Sequence, residues 1–318
     1  MSKIIAIDVS KQTLDVAYLI EEKWQHFSTT NDLKGFTKIA ELVEIDDWFV
    51  MEASGPYYLP LASYLFNKSL NVSVINPLVI KRFSQMKLYR AKTDKKDAKA
   101  IAEYAMGNEL KKWNKAGECI FELQQLLTAI ELLHKQLTQS NGQLEAFTSS
   151  GELSKELSKY MKTMINGHKK MIAKLEVRLK EVANEHYKVT LECLKSIPGI
   201  GIKTAIQLTI ITDNFKKFEN YKQLTAYVGL SPRIFQSGTS VKGKGHICKM
   251  GNPQVRKLLY MCSWTAKRCN SSCKEMYDRL KAKGKPERVI KIAIANKLLK
   301  QAFAIASSQT MYQENYIR

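Results

Sequence analysis

Asp8 and Glu52 each close an apolar run. Lys3-Ile-Ile-Ala-Ile-Asp-Val-Ser10 reads as a buried strand ending in a polar turn, and Asp47-Trp-Phe-Val-Met-Glu52 reads as another, followed by the turn Ala53-Ser-Gly-Pro56. Asp94 and Asp97 lie in Lys92-Thr-Asp-Lys-Lys-Asp-Ala98, at the start of a helix expected to run through Ala105. Their i, i+3 spacing puts both carboxylates on one helical face. If the two strand ends lie side by side, four carboxylates converge at one edge of a sheet. Such a cluster repels itself unless cations neutralise it, and hard oxygen ligands select Mg2+ or Mn2+. Two such ions about 3.5–4 Å apart can activate a nucleophile and stabilise the leaving oxygen of a phosphodiester. Each residue also has an ordinary explanation. Aspartate is common in the turn after an apolar strand, and Asp94 and Asp97 suit the positive end of a helix capped by Thr93. Glu52 is the hardest to explain away, because it ends a buried run ahead of a Gly-Pro turn.

A second set of candidates lies in the C-terminal third. Ile197-Pro-Gly-Ile-Gly-Ile-Lys-Thr-Ala205 fits a helix-hairpin-helix, with Gly199 and Gly201 allowing close backbone approach and Lys203 and Thr204 opening the second helix, whose amides can hold a phosphate. Contacts of this sort position a duplex without reading its sequence. The plain alternative is a tight turn between helices that binds nothing. Farther on, Tyr227-Val-Gly-Leu-Ser-Pro-Arg233, Phe235-Gln-Ser-Gly-Thr-Ser240 and Lys242-Gly-Lys-Gly-His-Ile-Cys-Lys249 form a loop rich in Ser, Gly and Lys. Arg233, Lys242, Lys244 and Lys249 could hold phosphates with nothing covalent. Alternatively, a serine there, Ser237 or Ser240, attacks a phosphodiester. Residue chemistry alone favours the first.

The elements that must position these groups fall into three parts. From 1 to about 110, strands over Lys3–Ser10, Leu14–Ile20 and Lys23–Thr29 precede the Asp47–Glu52 strand, a helix over Tyr57–Asn67 and a strand over Asn71–Ile75. Three early strands followed by alternating helix and strand predict an α/β layer fold of the ribonuclease H kind. From 111 to 187, Leu123, Leu126, Ile130, Leu133, Leu137, Leu144 and Phe147 follow 3-4 spacing, with Ser140 filling one position; after a break at Thr148-Ser-Ser-Gly151, Leu157, Met161, Met164, His168, Met171, Leu175 and Val182 repeat it. Two long helices with narrow seams predict a coiled coil, antiparallel or oligomeric, and with it a homodimer or homotetramer; His168 is expected to be packed and hydrogen-bonded. From 188 to 318 the chain reads as mainly helical, ending in helices that carry Arg256, Lys257, Arg268, Arg279 and Arg288 among Tyr260, Trp264 and Tyr277.

Composition narrows the partners. The 318 residues carry 50 Lys and Arg against 30 Asp and Glu, a net charge of +20, which favours a polyanion, nucleic acid being the commonest. No apolar run approaches a bilayer span and the start carries no signal peptide, so a cytoplasmic protein without a membrane is expected. The six cysteines form no paired CxxC framework; Cys269 and Cys273, four apart with no histidine nearby, are expected to be reduced thiols rather than a zinc site.

Ala6-Ile-Asp-Val-Ser-Lys11, Met51-Glu-Ala-Ser-Gly-Pro-Tyr57 and Lys92-Thr-Asp-Lys-Lys-Asp-Ala-Lys99 resemble the three blocks of the DEDD transposases of insertion-sequence family 110. These are relatives of the Piv-type pilin invertases and have a RuvC-like N-terminal domain. The resemblance covers nearly the whole chain and keeps the block order. It implies that Asp8, Glu52, Asp94 and Asp97 are a tetrad holding two divalent ions, with Lys11 beside them as a nucleic-acid contact. Pro232-Arg233 followed by Gln236-Ser237-Gly238 looks like the segment whose serine becomes joined to DNA, which reverses the preference above and selects Ser237 over Ser240. Gln236 stands where many relatives carry another serine, and His246 and Cys248 replace more usual residues. The resemblance also implies donor and target DNA duplexes and a non-coding guide RNA as partners. The competing readings are a metal-dependent nuclease such as a junction resolvase, with water as nucleophile, and a non-catalytic DNA-binding protein. An actin-like sugar kinase, faintly suggested by Ile7-Asp8-Val9-Ser10, lacks further glycine-rich nucleotide-binding segments.

Overall fold

The computed structural model describes residues 2–42, 46–89, 93–233, 236–237, 241–242, 246–248 and 250–314. The chain forms two compact units, Met1–Lys115 and Ala116–Arg318. The first is built on a five-stranded sheet of β1 (Ile4–Val9), β2 (Thr13–Ile20), β3 (Lys23–Thr30), β4 (Trp48–Glu52) and β5 (Asn71–Ile75). Its order is β3-β2-β1-β4-β5, with β1, β2 and β3 antiparallel and β1, β4 and β5 parallel, a mixed sheet in keeping with the α/β layer fold expected from the strand pattern. The β2–β3 turn is a two-residue loop with both Glu21 and Glu22 left-handed (φ 47° and 61°), a geometry usually given to Asn-Gly.

Strand parity sorts the core. Ile5, Ile7, Phe49 and Met51 face one layer, packing with Phe36 and Ile39 of α1 (Leu33–Ala40) and with Leu61 and Leu65 of α2 (Leu59–Asn67). Ala6 and Val50 face the other, packing with Ile80 of α3 (Pro77–Met86) and with Ile101, Ala102 and Ala105 of α4 (Asp94–Met106). The second layer is made close by small residues: Ala98, Ala100, Ala102 and Ala105 are all buried, so α4 lies near the sheet. α1 and α3 go beyond the sequence expectation. α2 begins two residues later than expected, after the left-handed Gly55 and with Pro60 in its first turn.

The second unit is mostly helical. α5 (Glu118–Ser149) and α6 (Lys155–Lys195) are 32 and 41 residues long and lie against each other; α7 (Ile202–Thr212), α8 (Tyr221–Val228), α9 (Pro253–Cys269), α10 (Ser271–Ala282) and α11 (Glu287–Ser308) complete it. The expected seam of α5 matches its burial, from Leu123 and Ile130 to Ser140. On α6 the expectation is partly wrong. Ile165, Ile172, Leu179 and Val182 are buried, whereas Leu157, Met164 and Met171 are 40–48% exposed. An apolar residue falls on both series, three to four positions apart, so spacing alone did not choose the face. His168 is half-buried, but its Nδ1 has no hydrogen-bond partner. Among the described residues no helix is long and apolar enough to cross a membrane.

Between α8 and α9 the described residues pair in two short antiparallel ladders, here called the arm. β6 (Pro232–Arg233) pairs with β9 (His246–Ile247) at its root, and β7 (Gln236–Ser237) pairs with β8 (Val241–Lys242) beyond. The root is fastened by the Cys248 amide to the Ser231 carbonyl (2.9 Å), the Asn252 amide to the Tyr227 carbonyl (3.2 Å) and Arg256 Nη1 to the Val228 carbonyl (2.8 Å). Gly251 makes this closure possible. Its φ is +128°, and a Cβ there would stand 2.1 Å from the Tyr227 carbonyl oxygen. Gly251→Ala should therefore cost about 3 kcal/mol in urea unfolding. Gly142→Ala, in α5 with nothing within 4 Å of the new methyl, should instead gain about 1 kcal/mol from helix propensity. Equal effects of the two changes would contradict this account of the root.

Candidate metal centre and serine arm

Register brings the first carboxylates together. The β1–β4 parallel ladder pairs Ile7 with Met51, so Asp8 and Glu52 follow on neighbouring strands at the same level. They belong to the parity of Ala6 and Val50, on the α4 side of the sheet. α4 begins at that edge with Thr93 as N-cap, its hydroxyl accepting from the Lys96 amide at 3.3 Å, which places Asp94 and Asp97 in the first turn. Carboxylate oxygens of Asp8, Asp94 and Asp97 all lie within 4.8 Å of one another. Glu52 stands outside this trio but within electrostatic reach of Asp8, with Ser54 Oγ 3.5 Å from its Oε1. Asp94 and Asp97 thus sit at a capped helix start and also come close to the strand carboxylate Asp8.

The electrostatics of the edge fall on Asp8. Burial first, then the charges of Asp97, Glu52, Asp94 and Asp15, push its pKa from 3.8 up to about 6. Asp15 is a fifth acidic residue that the sequence reading did not single out. It lies opposite Asp8 across the β1–β2 ladder, is 8% exposed, and accepts from Ser28 Oγ at 2.5 Å with His26 Nε2 at 3.1 Å. The available signal was a charged residue between the buried Leu14 and Val16. The loops beyond Asp8 and Glu52 are tied together by Asn31, whose Nδ2 donates to the Ser10 carbonyl (2.8 Å) and the Tyr57 carbonyl (3.2 Å). Lys11 is exposed in the first of these loops. An edge of crowded oxygen donors whose ionisation is penalised fits a hard divalent cation, which relieves the repulsion that protonation otherwise relieves.

In the second unit, Ser237 is the last paired residue of β7, opposite Val241. Arg233 is exposed at the root of the arm and Lys242 lies in β8 opposite Gln236. Ser240, Lys244 and Lys249 lie outside the described residues. At the turn between α6 and α7, Gly199 (φ +103°) packs inward, its missing Cβ leaving room for Ala266, so packing accounts for that glycine. Gly201 is exposed with open space around it and forms the N-cap of α7. Lys203 is exposed and paired with Glu176 at 2.6 Å, whereas Thr204 is buried with its hydroxyl 3.2 Å from Cys262 Sγ. In the final helices Arg268, Arg279 and Arg288 are exposed, while Arg256 is committed to the root of the arm.

Residues 5–149 match a family model for a transposase of the DEDD, IS110 type, and residues 191–278 match the transposase IS116/IS110/IS902 family. The chain is similar to the pilin gene-inverting protein of Moraxella lacunata, 29% identical over 96% of this chain and 96% of the relative, and equally to that of Moraxella bovis. It is 24% identical to the transposase for insertion sequence element IS1111A of Coxiella burnetii over 81% of this chain and 76% of that one. A structural match to T. thermophilus RuvC in complex with a Holliday junction substrate covers 36% of this chain at 12% identity with a TM-score of 0.27, too slight to carry an argument.

In metal-free solution the folded chain holds the Asp8 proton up to about pH 6, while the unfolded chain releases it near 3.8. The folded state therefore binds more protons across that window, and its stability falls as pH rises through it and levels off above. Asp8→Asn removes this fall. Thermal unfolding in EDTA should show wild type losing several degrees more than the variant between the two ends of the window. Parallel pH profiles would mean that Asp8 carries no ionisation penalty.

Proposed function

Because this chain belongs to the IS110 family of transposases, enzymes that cut and recombine DNA, we propose that it breaks and rejoins strands through a serine-linked intermediate formed beside a carboxylate-held metal centre. The observation that carries the reading is the convergence of Asp8, Asp94 and Asp97 at the ends of the central strands, with Glu52 in register beside them. Asp8, Glu52, Asp94 and Asp97 would hold Mg2+ or Mn2+, as two ions. When bound, such cations supply Lewis-acid polarisation of the phosphoryl oxygens and charge stabilisation at the leaving oxygen.

Ser237 would be the nucleophile. Its hydroxyl gives up a proton, Oγ forms a bond to the scissile phosphorus, and the bond from phosphorus to the 3′ oxygen breaks, that oxygen taking a proton as it leaves. Attack of another strand's 3′ hydroxyl on the serine phosphodiester reverses these changes, frees Ser237 and joins the new partner. The role is supported by the fixed backbone position of Ser237 on a short ladder opposite Val241. The carboxylates and Ser237 belong to different compact units, so the working site is assembled by folding or by neighbouring protomers.

Donor and target DNA fit the excess of 50 basic over 30 acidic residues, as does a non-coding guide RNA pairing with both. Gly201 and Lys203 of a helix-hairpin-helix, together with Lys11, Arg233, Lys242, Lys244 and Lys249, would contact phosphates. The working division is 1–110 for metal-dependent cutting, 111–187 as a coiled coil assembling a homodimer or homotetramer, and 188–318 for the serine. The names of the relatives, an inverter of a pilin gene and a transposase of an insertion sequence, agree with strand exchange rather than simple hydrolysis.

Incubating the full chain with the RNA encoded beside its gene, labelled junction DNA and Mg2+ should yield protein-linked DNA on a denaturing gel. Ser237→Ala and Asp8→Ala should each abolish the adduct, with losses of at least about a thousandfold. Clean nicks without an adduct would assign the attack to water and replace this mechanism with that of a nuclease.

A further inference from the structure

We propose that the second unit carries a receptor for one unpaired nucleobase, at a cavity between α5, α6, α7 and α9; the inference rests on the nucleic-acid reading above. The cavity, about 390 Å³, lies within the range of about 300–1,000 Å³ usual for small-molecule sites. Its floor is apolar: Leu127 and Ile130 of α5, Leu179 of α6, Ile206 of α7 and Leu258 of α9. Its lining also carries four exposed lysines, Lys135, Lys180, Lys203 and Lys257, one from each of the four helices, which outnumber the carboxylates of Glu131 and Glu176.

One polar group interrupts the floor. Gln207 is 7% exposed and lines the cavity, and its amide makes no hydrogen bond to the described residues. The amide meets water in the open cavity rather than a protein partner, and it offers one acceptor and two donors to a ligand. An aliphatic side chain would displace that water and leave the amide unmatched. A flat aromatic ring with donors and acceptors on its edge displaces the water and pairs with the amide, and a nucleobase is such a ring. The lysines complete the match. A base entering from a strand brings its flanking phosphates toward them. Lys203 is at present held by Glu176 at 2.6 Å, and His134 lies 3.9 Å from the same carboxylate. A phosphate would compete with Glu176 for Lys203, so occupancy exchanges one ion pair for another at an exposed side chain.

The test is an equilibrium competition with the full chain in EDTA, so that no cutting is needed. The probes are a paired duplex, the same duplex with one extrahelical nucleotide, and one with an extrahelical abasic residue. The extrahelical nucleotide should bind about tenfold tighter than the paired duplex, the order expected for one buried base, and the abasic probe should lose that gain. Gln207→Met, which keeps the volume and removes the amide, and Leu258→Trp, which fills the cavity, should each abolish the preference. Both should leave paired-duplex affinity and thermal stability as in wild type. Equal binding of all three probes by wild type, or a preference that survives both substitutions, would overturn the receptor. Binding of none of the probes would overturn it together with the nucleic-acid reading. A missing serine adduct in the cleavage assay, with the base preference intact, would sink only the chemistry.

Discussion

Mutual repulsion among carboxylates is the constraint around which the first unit is organised. Asp8, Asp94 and Asp97 are forced within 4.8 Å, and nothing in their own chemistry favours that. The cost is met by a rigid frame. A parallel ladder sets Asp8 beside Glu52, both faces of the central strand are packed, and a helix faced with alanine lies near enough to bring its first turn to the strand ends. Larger residues at Ala98 or Ala102 would move α4 outward and relax the crowding. The alanines are therefore as much a part of the centre as the acids are.

Much of this was visible in the sequence because the signals were periodic. The apolar runs before Asp8 and Glu52 are strands, and their order predicts which ends meet. The i, i+3 pair at Asp94 and Asp97 does begin a helix with Thr93 as its cap. Asp15 was missed because a single acid inside an alternating strand looks like an outward-facing residue until its partners Ser28 and His26 are seen across the ladder. The β2–β3 turn was equally obscure, since Glu21-Glu22 carries none of the residue types that such a turn prefers.

The second unit was legible by class but less so by face. α5 has one apolar series and its inner side followed directly. α6 has two, and only contact with α5 decides that Ile165 and Ile172 go inward while Met164 and Met171 stay out. The glycines of the turn before α7 show a related ambiguity. Close approach of backbone to ligand and close approach of backbone to a neighbouring helix call for the same residue, and Gly199 turned out to serve Ala266. The Ser-, Gly- and Lys-rich segment reads as a loop because its residues carry no strand periodicity, whereas its backbone pairs in two short ladders that include Pro232–Arg233 and Gln236–Ser237.

The long helix pair has a consequence for how such a chain can vary. Cys119, at the start of α5, lies against Tyr187, near the end of α6, with sulfur and phenol oxygen 2.9 Å apart. The chain thus leaves and returns at one place, and the excursion between is a spur whose far tip is the short Ser150–Ser154 connection. Matched insertions or deletions of seven residues in both helices would lengthen or shorten the spur while the helices around its base kept their places. Unmatched ones would turn one helix against the other and present the wrong side inward. Length here is a dimension that can drift in whole turns, independent of the chemistry on either side of it.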